Sequence, residues 1–443
     1  MDKNNGAIYD ARKLGKPKMI ILGVQHMFAM FGATILVPIL TGLDISTTLL
    51  MAGLGTLLFH CITKFKVPAF LGSSFAFLGG YAAIKAFSPN DPNSMLPYAC
   101  LGVACAGLIY FILAAVIKVV GIEKVMRFFP PVVTGPIIIA IGLGLAPSAV
   151  SNCTTNWFLA VVALAVIVVF NIWGKGMAKI IPIILGLLIS YGTGLVLYFI
   201  SQANPDLIQN VPWLFSGGAD ANGVYQPIFD FTSLNTICDN ISKGHIFGSE
   251  GLIGIPIHWD QTVFGGIDYS NGALIASSII AIVPIAFATM MEHIGDICAI
   301  SSTTGNNYIK DPGLHRTLVG DGLATTLASL FGGPANTTYG ENTGVLALTR
   351  VYDPRVIRIA AYFAVAVSFF PIVSVIIGSI PSCIIGGISF VLYGMISAIG
   401  VRNVVENKVD FTKSRNLIVA AVILVCALGL SSDTVSLQSA VPQ

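Results

Sequence analysis

Thirteen apolar segments follow one another along this chain, and polar loops separate them. They fall at about 19–40, 46–63, 68–84, 96–117, 130–149, 157–173, 180–200, 271–299, 317–332, 336–349, 356–379, 382–400 and 415–431. Most have the length that an α-helix needs to cross about 30 Å of hydrocarbon. Of the 443 residues, 55% are hydrophobic and only 10% are charged, against about 25% charged in an ordinary soluble domain. An all-α polytopic membrane protein in a lipid bilayer is therefore expected. The net charge of +2 gives no footing for nucleic acid. The eight cysteines are scattered without a CxxC or Cys/His cluster, so no metal site, disulfide framework or other cofactor is expected. Cys153 and Cys238 fall in loops expected on the outside and are a candidate pair. The N-terminus has no small-residue cleavage site, so no removable signal peptide is expected.

Charge sets the orientation. With a cytoplasmic N-terminus and every segment crossing, all 23 basic residues except Lys85 and Lys243 lie on the inside, as the positive-inside rule requires. Dropping either of the short segments, 68–84 and 336–349, would invert the loops after it. Both are therefore expected to cross, in a cell (cytoplasmic) membrane. The resulting division is a basic tail 1–18, a first half 19–201 with seven spans, an outside insertion 202–270, a second half 271–431 and a polar tail 432–443. No chemistry is evident in the insertion, which is long enough for a small subdomain or hairpin.

The two short segments are punctuated alike. Val67–Phe75 (VPAFLGSSF) parallels Gly333–Gly340 (GPANTTYG), with Pro68 matching Pro334. His26 precedes Pro68 by 42 residues and His293 precedes Pro334 by 41. Two halves of seven spans must insert with opposite orientations, which is the inverted-repeat plan of many secondary transporters, with substrate bound between paired broken helices. Thirteen spans are one short of fourteen, so the last is expected to be missing from this chain.

Phe331–Arg350 reads as extended backbone feeding a half-length helix that starts near Tyr339. A half-helix N-terminus presents unpaired N–H groups and a positive dipole end to a polar or anionic ligand. Glu341 there is costly in hydrocarbon and marks a site; the plainer reading is a Gly/Pro break beside a solvated Glu. Glu292 and Asp296 are i and i+4 in an apolar span, on one helix face. Two carboxylates short of water would raise at least one pKa and suit proton uptake and release. Alternatively both line a wet vestibule, or His293 pairs with one of them. Glu292 and Glu341 as acceptors, with N–H donors at Tyr339–Gly340 and near Phe75, suit a planar ring that alternates N–H and C=O. Phe75 offers that ring an aromatic face or is plain packing. Gln25 and His26 read as supporting hydrogen-bond partners, with a satisfied core histidine the other reading. Arg350 closes the half-helix. No nucleophile–base pair or metal cluster appears in the spans, so no catalytic residue and no enzyme is expected.

At these residues the chain resembles the nucleobase–ascorbate transporters, also called nucleobase–cation symporter-2. Glu341–Arg350 (ENTGVLALTR) fits their signature [QE]NxGxxxxT[RK], which includes Asn342. QHMFAMFGATILVP at 25–38, LGSSFAF at 71–77, DPGLHR at 311–316 and NTTYGENTGV at 336–345 look like the bacterial uracil permease branch. The resemblance implies a seven-plus-seven inverted repeat with core and gate domains, proton-coupled uptake and a homodimer. It implies binding roles for Glu292, Glu341, Phe75, Gly340 and Ala33, with Tyr339 placed as in uracil permeases and Tyr393 on a gate helix. Asp296 stands where uracil permeases typically carry the His tied to proton coupling. The expected function is import of uracil with protons by alternating access. A xanthine or other oxopurine symporter and an uncoupled nucleobase facilitator or channel are the alternatives.

Overall fold

In a computed structural model of the chain, the structure describes residues 7–125, 130–179, 181–220 and 222–430, apart from the side chains of 122, 123, 341 and 430. The first six residues of the basic tail and the polar tail 432–443 lie outside them. The first half contains α1 (Lys16–Thr41), α2 (Ile45–Ile62), the strand β1 (Leu71–Ser73), α3 (Leu78–Lys85), α4 (Leu96–Val120), α5 (Pro131–Cys153), α6 (Trp157–Trp173) and α7 (Pro182–Ala203). Two short strands, β2 (Ser216–Ala219) and β3 (Tyr225–Pro227), and α8 (Thr232–Ser242) follow. The second half contains α9 (Gly272–Ile282), α10 (Ala286–Thr304), α11 (Leu314–Leu330), β4 (Asn336–Thr338), α12 (Gly340–Thr349), α13 (Pro354–Ser368), α14 (Pro371–Gly378), α15 (Ser382–Glu406) and α16 (Ser414–Leu430).

Every apolar segment read from the sequence is thus a helix, a bent helix pair or a strand leading into a half-helix. Among the described residues seven helical stretches are long and apolar enough to cross a membrane, and α13 and α14 pass the same test only as a pair, bent by 87°. Local signals set the boundaries. Asp44 caps α2 by accepting from the Thr47 amide at 2.6 Å, and α1 stops at Gly42, whose φ of +84° favours glycine. Phe369–Phe370 ahead of Pro371 breaks the α13–α14 span, because the residue before proline avoids helical backbone.

The chain forms two compact units. One takes residues up to Val119, Asn171–Ile184 and Asp230–Ser379; the other takes Val120–Phe170, Leu185–Phe229 and Ile380 onward. The insertion 202–270 is therefore divided between them at Phe229/Asp230. Each unit uses glycine to bring helices together, as membrane helices must without a solvent-driven force between them. In the first unit a Cβ at Gly322 of α11 would lie 2.6 Å from the Gly107 carbonyl of α4, and one at Gly107 would lie 2.7 Å from the Gly322 carbonyl. In the second, a Cβ at Gly400 of α15 would lie 2.7 Å from the Gly135 carbonyl of α5. Cys153 and Cys238 belong to different units, and both are free thiols.

The chain's N-terminal segment is strapped onto the first unit. Ile8 donates to the Arg350 carbonyl and accepts from the Tyr352 amide, both at 2.8 Å. The Ala11 amide donates to Asp353 at 2.7 Å, and Arg355 reaches both Asp10 (2.9 Å) and Asp353 (3.2 Å). Tyr9 packs edge-on against Tyr352 and donates to the Thr304 carbonyl at the end of α10. The guanidinium of Arg12, hydrogen-bonded to the Asp10 carboxylate, and then Arg355 hold that carboxyl well below its ordinary range.

Candidate functional site

The two broken segments meet. β1 and β4 pair antiparallel, with Leu71 opposite Thr338, Gly72 opposite Thr337 and Ser73 opposite Asn336. The pairing continues past the strand ends, where the Tyr339 amide donates to the Phe70 carbonyl at 3.0 Å and the Ser74 amide to the Ala335 carbonyl at 2.8 Å. The half-helices α3 and α12 therefore leave from opposite ends of one short ribbon, as an inverted repeat requires. The strands align one residue away from the proline match, because Pro68 stands three residues before β1 and Pro334 only two before β4.

A two-stranded ribbon has two open edges, and backbone polar groups within an apolar unit need partners. Side chains supply them. Thr56 of α2 accepts from the Leu71 amide at 2.9 Å and donates to the Leu71 carbonyl at 3.2 Å. His60 Nε2 lies 2.9 Å from the Ala69 carbonyl. On the other strand, Thr325 of α11 donates to the Asn336 carbonyl at 2.5 Å, and the Asn336 side-chain amide donates to the Met51 carbonyl of α2 at 2.9 Å. Ser73 donates to the Thr34 carbonyl of α1 at 3.1 Å. All of these side chains are buried, so the ribbon is held from α1, α2 and α11 together.

Tyr339 is 5% exposed. Its hydroxyl donates to the Ser73 carbonyl at 2.9 Å and accepts from Thr34 at 3.3 Å. Its ring lies over Gly72, so the side chain locks the two broken segments together. Gly340 opens α12 and is exposed, and a Cβ there would stand 3.4 Å from Asp296 Oδ1. Asp296 thus lies at the start of α12, where the helix dipole favours a carboxylate. It also accepts from Thr338 at 3.0 Å. Glu292 sits one turn earlier on α10, and both acids are half-buried. Phe75 begins the 3₁₀ turn leading into α3 and is half-buried, while Ala33 of α1 is fully buried.

Glu341 is the second residue of α12, and its side chain lies outside the described residues. Asn342 is 1% exposed and neither atom of its amide has a hydrogen-bond partner. The same holds for both ring nitrogens of the buried His26 and for the Gln25 carbonyl oxygen. Tyr393 is on α15 in the second unit, buried, with its hydroxyl unpaired.

His293 faces neither neighbour on its own helix's acidic stripe. Its Nδ1 lies 3.4 Å from Asp321 Oδ1 of α11, and both side chains are fully buried. Asp321 was not among the residues that the sequence pattern singled out. The signal was present, since an acid inside the apolar run TLVGDGLATTL marks a site by the same reasoning that selected Glu292.

Residues 17–435 match the Permease family, Xan_ur_permease. The chain is 39% identical over 421 residues to the uracil permease of Bacillus caldolyticus and 38% identical over 423 residues to that of Bacillus subtilis, covering 93% of this chain and 85% of each relative. A protein called putative pyrimidine permease RutG from Escherichia coli is 35% identical over 428 residues, covering 96% of this chain and 86% of that one. Among solved structures, the transmembrane domain of the cyanobacterial bicarbonate transporter BicA has the same fold, with a TM-score of 0.64 at 12% identity over 96% of this chain and 98% of that one. SLC26A9 also matches, with a TM-score of 0.53 at 11% identity over 96% of this chain and 63% of that one.

Proposed function

We propose a function from the premise that this chain belongs to the Permease family, Xan_ur_permease, whose members are membrane transporters and not enzymes: it imports uracil together with protons, by alternating access. The observation that carries this reading is the placement of Asp296 and Gly340 together at the start of α12, beside the paired strands of two half-helices. Helix N-termini and carboxylates presented side by side offer donors and acceptors to one planar ring. Uracil has two N–H donors and two carbonyl acceptors. In this reading Glu292 and Glu341 accept from the ring N–H groups, and the amides at Tyr339–Gly340 and before α3 donate to its carbonyls. Phe75 covers one face of the ring, and Ala33 leaves room for the other. Glu292 and Asp296 take up and release the coupling proton. The unit that holds Asp296 acts as the core, and the unit that holds Tyr393 acts as the gate. The basic loops orient the protein in the cytoplasmic membrane with its N-terminus inside, and it works as a homodimer.

Asp296 in place of the histidine of uracil permeases keeps a second reading open, transport of an oxopurine such as xanthine by the same site. Thermal unfolding of the purified chain with uracil or xanthine, at pH 6 and pH 8, separates the two. A ligand that binds only the folded state raises the melting temperature once its concentration exceeds Kd. The expected result is a rise with uracil, larger at pH 6. A rise with xanthine alone moves the substrate to the oxopurines, and no rise with either overturns the reading.

A further inference from the structure

Behind the surface formed by Glu292 and Asp296 lies a titratable pair that the proposed transport does not yet use. His293 and Asp321 are both 0% exposed. Neither oxygen of the Asp321 carboxyl has a hydrogen-bond partner, and neither does Nε2 of His293. Buried polar groups of this kind are expensive when unmatched. The pair is joined to the front of the site by one hydroxyl. Thr338 Oγ1 donates to Asp296 Oδ2 at 3.0 Å and lies 3.3 Å from His293 Nδ1. The continuous chain is Asp296, Thr338, His293, Asp321, and its second member belongs to β4.

We propose that His293 and Asp321 form a proton-holding pair, reached from Asp296 through the Thr338 hydroxyl, and that this pair makes ligand binding depend on pH. The inference rests on the proton-coupled reading above. When Asp296 is charged, Thr338 gives it its hydrogen. A proton arriving on Asp296 Oδ2 passes to Thr338 Oγ1, while the original hydroxyl hydrogen passes to Nδ1. Two O–H bonds break, one on Asp296 and one on Thr338, while a new O–H bond forms on Thr338 and an N–H bond forms on His293. The products are a charged Asp296 and an imidazolium beside the Asp321 carboxylate, with no change in total charge.

Of the other groups that face this chain, Glu292 is a further base, already given a share of the coupling proton, and the rest are engaged elsewhere. Tyr110 from α4 faces Asp321 and Glu292 and already donates to Thr289 at 2.7 Å. From α2, Phe59 stands edge-on to His293, and the neighbouring His60 is engaged with the Ala69 carbonyl. Glu292 shares the outer face of α10 with Asp296. Because Thr338 is part of the ribbon that starts α12, moving the proton changes the hydrogen bond that fixes the half-helix.

The test is uracil affinity of the purified full chain from pH 5.5 to 8, measured calorimetrically for the unaltered protein and for Asp321→Asn, Thr338→Val and Thr338→Ser. Coupling to one proton makes the unaltered protein's affinity fall by up to about tenfold per pH unit above the relevant pKa. Asp321→Asn and Thr338→Val are expected to flatten that dependence to less than about twofold across the range, and Thr338→Ser to restore it. Should Asp321→Asn fail to fold, the Val/Ser contrast at 338 still decides, since a merely structural role for the hydroxyl would not move the slope. Unchanged slopes in the variants beside a sloping unaltered protein overturn the relay alone. A pH-independent unaltered protein overturns the relay and the proton-coupled reading together.

Discussion

Gly72 and Tyr339 touch so closely that a Cβ at position 72 would lie 2.5 Å from Tyr339 Cε2, with Thr34 Oγ1 at 2.7 Å on another side. Neither neighbour has room to move, because the Tyr339 hydroxyl is fixed to the Ser73 carbonyl and to Thr34. Gly72→Ala is therefore expected to push the two broken segments apart, at about 1–3 kcal/mol of overpacking strain. Uracil binding would weaken along with stability. Gly79→Ala, where a Cβ meets nothing within 4 Å, is the control, and thermal unfolding of both variants in detergent checks the prediction.

Thr325→Val keeps the shape of the side chain but leaves the buried Asn336 carbonyl without its 2.5 Å donor. The expected cost is about 1–3 kcal/mol, the penalty of an unsatisfied buried polar group. Thr56→Val removes both a donor and an acceptor from Leu71 and should cost at least as much. Melting temperatures of the two variants, each compared with its Ser counterpart, measure this.

If Glu292 accepts from a ring N–H, Glu292→Gln exchanges a charged acceptor for a neutral amide. Hydrogen bonds to charged groups contribute about 1.5–3 kcal/mol, so uracil Kd should rise by roughly ten- to a hundredfold. Calorimetric titration gives the value, and a Kd within about twofold of the unaltered protein, below the smallest such contribution, removes Glu292 from the binding site.

The N-terminal strap should be insensitive to pH across the ordinary range. The Asp10 carboxyl is held below its usual value of 3.8 by Arg12 and Arg355. A depressed carboxyl pKa gives stability that is complete above the unfolded value and is lost only as pH falls through the lower folded one. Hydrogen exchange at Ile8–Leu14, corrected for intrinsic rates, is thus expected to be flat from pH 8 to pH 5. Asp353→Ala, which removes the bonds to the Ala11 and Arg355 amides, should expose the same residues at every pH, with about 1 kcal/mol lost from the cap of α13.

Much of this was legible in the residues, for physical reasons. Pro68, Pro334 and the polar residues after them interrupt apolar runs in a way no continuous span tolerates, so the two broken segments stand out in the amino-acid pattern itself. The half-helix expected near Tyr339 starts at Gly340. Less was legible where partners come from distant segments. The pairing of His293 with Asp321 depends on how α10 packs against α11, which periodicity does not encode. Thr56 and Thr325 are ordinary residues in apolar spans, and only the open edges of β1 and β4 give them a task. The insertion reads as one polar stretch, because nothing in its composition marks the change of unit at Phe229/Asp230.

The pairing of β1 with β4 also bears on how the protein is made. Ser73 and Tyr339 are bonded to each other although 266 residues separate them. The eight-residue α3 is too short to cross a bilayer by itself. During synthesis β1 must therefore wait, with the backbone groups that face β4 unmatched, until β4 (Asn336–Thr338) has left the ribosome. Thr56 and His60, which are translated before β1, are in place to hold Leu71 and Ala69 meanwhile. Truncation between the two strands should then leave a nascent chain that quality-control proteases recognise, however well its earlier helices have inserted.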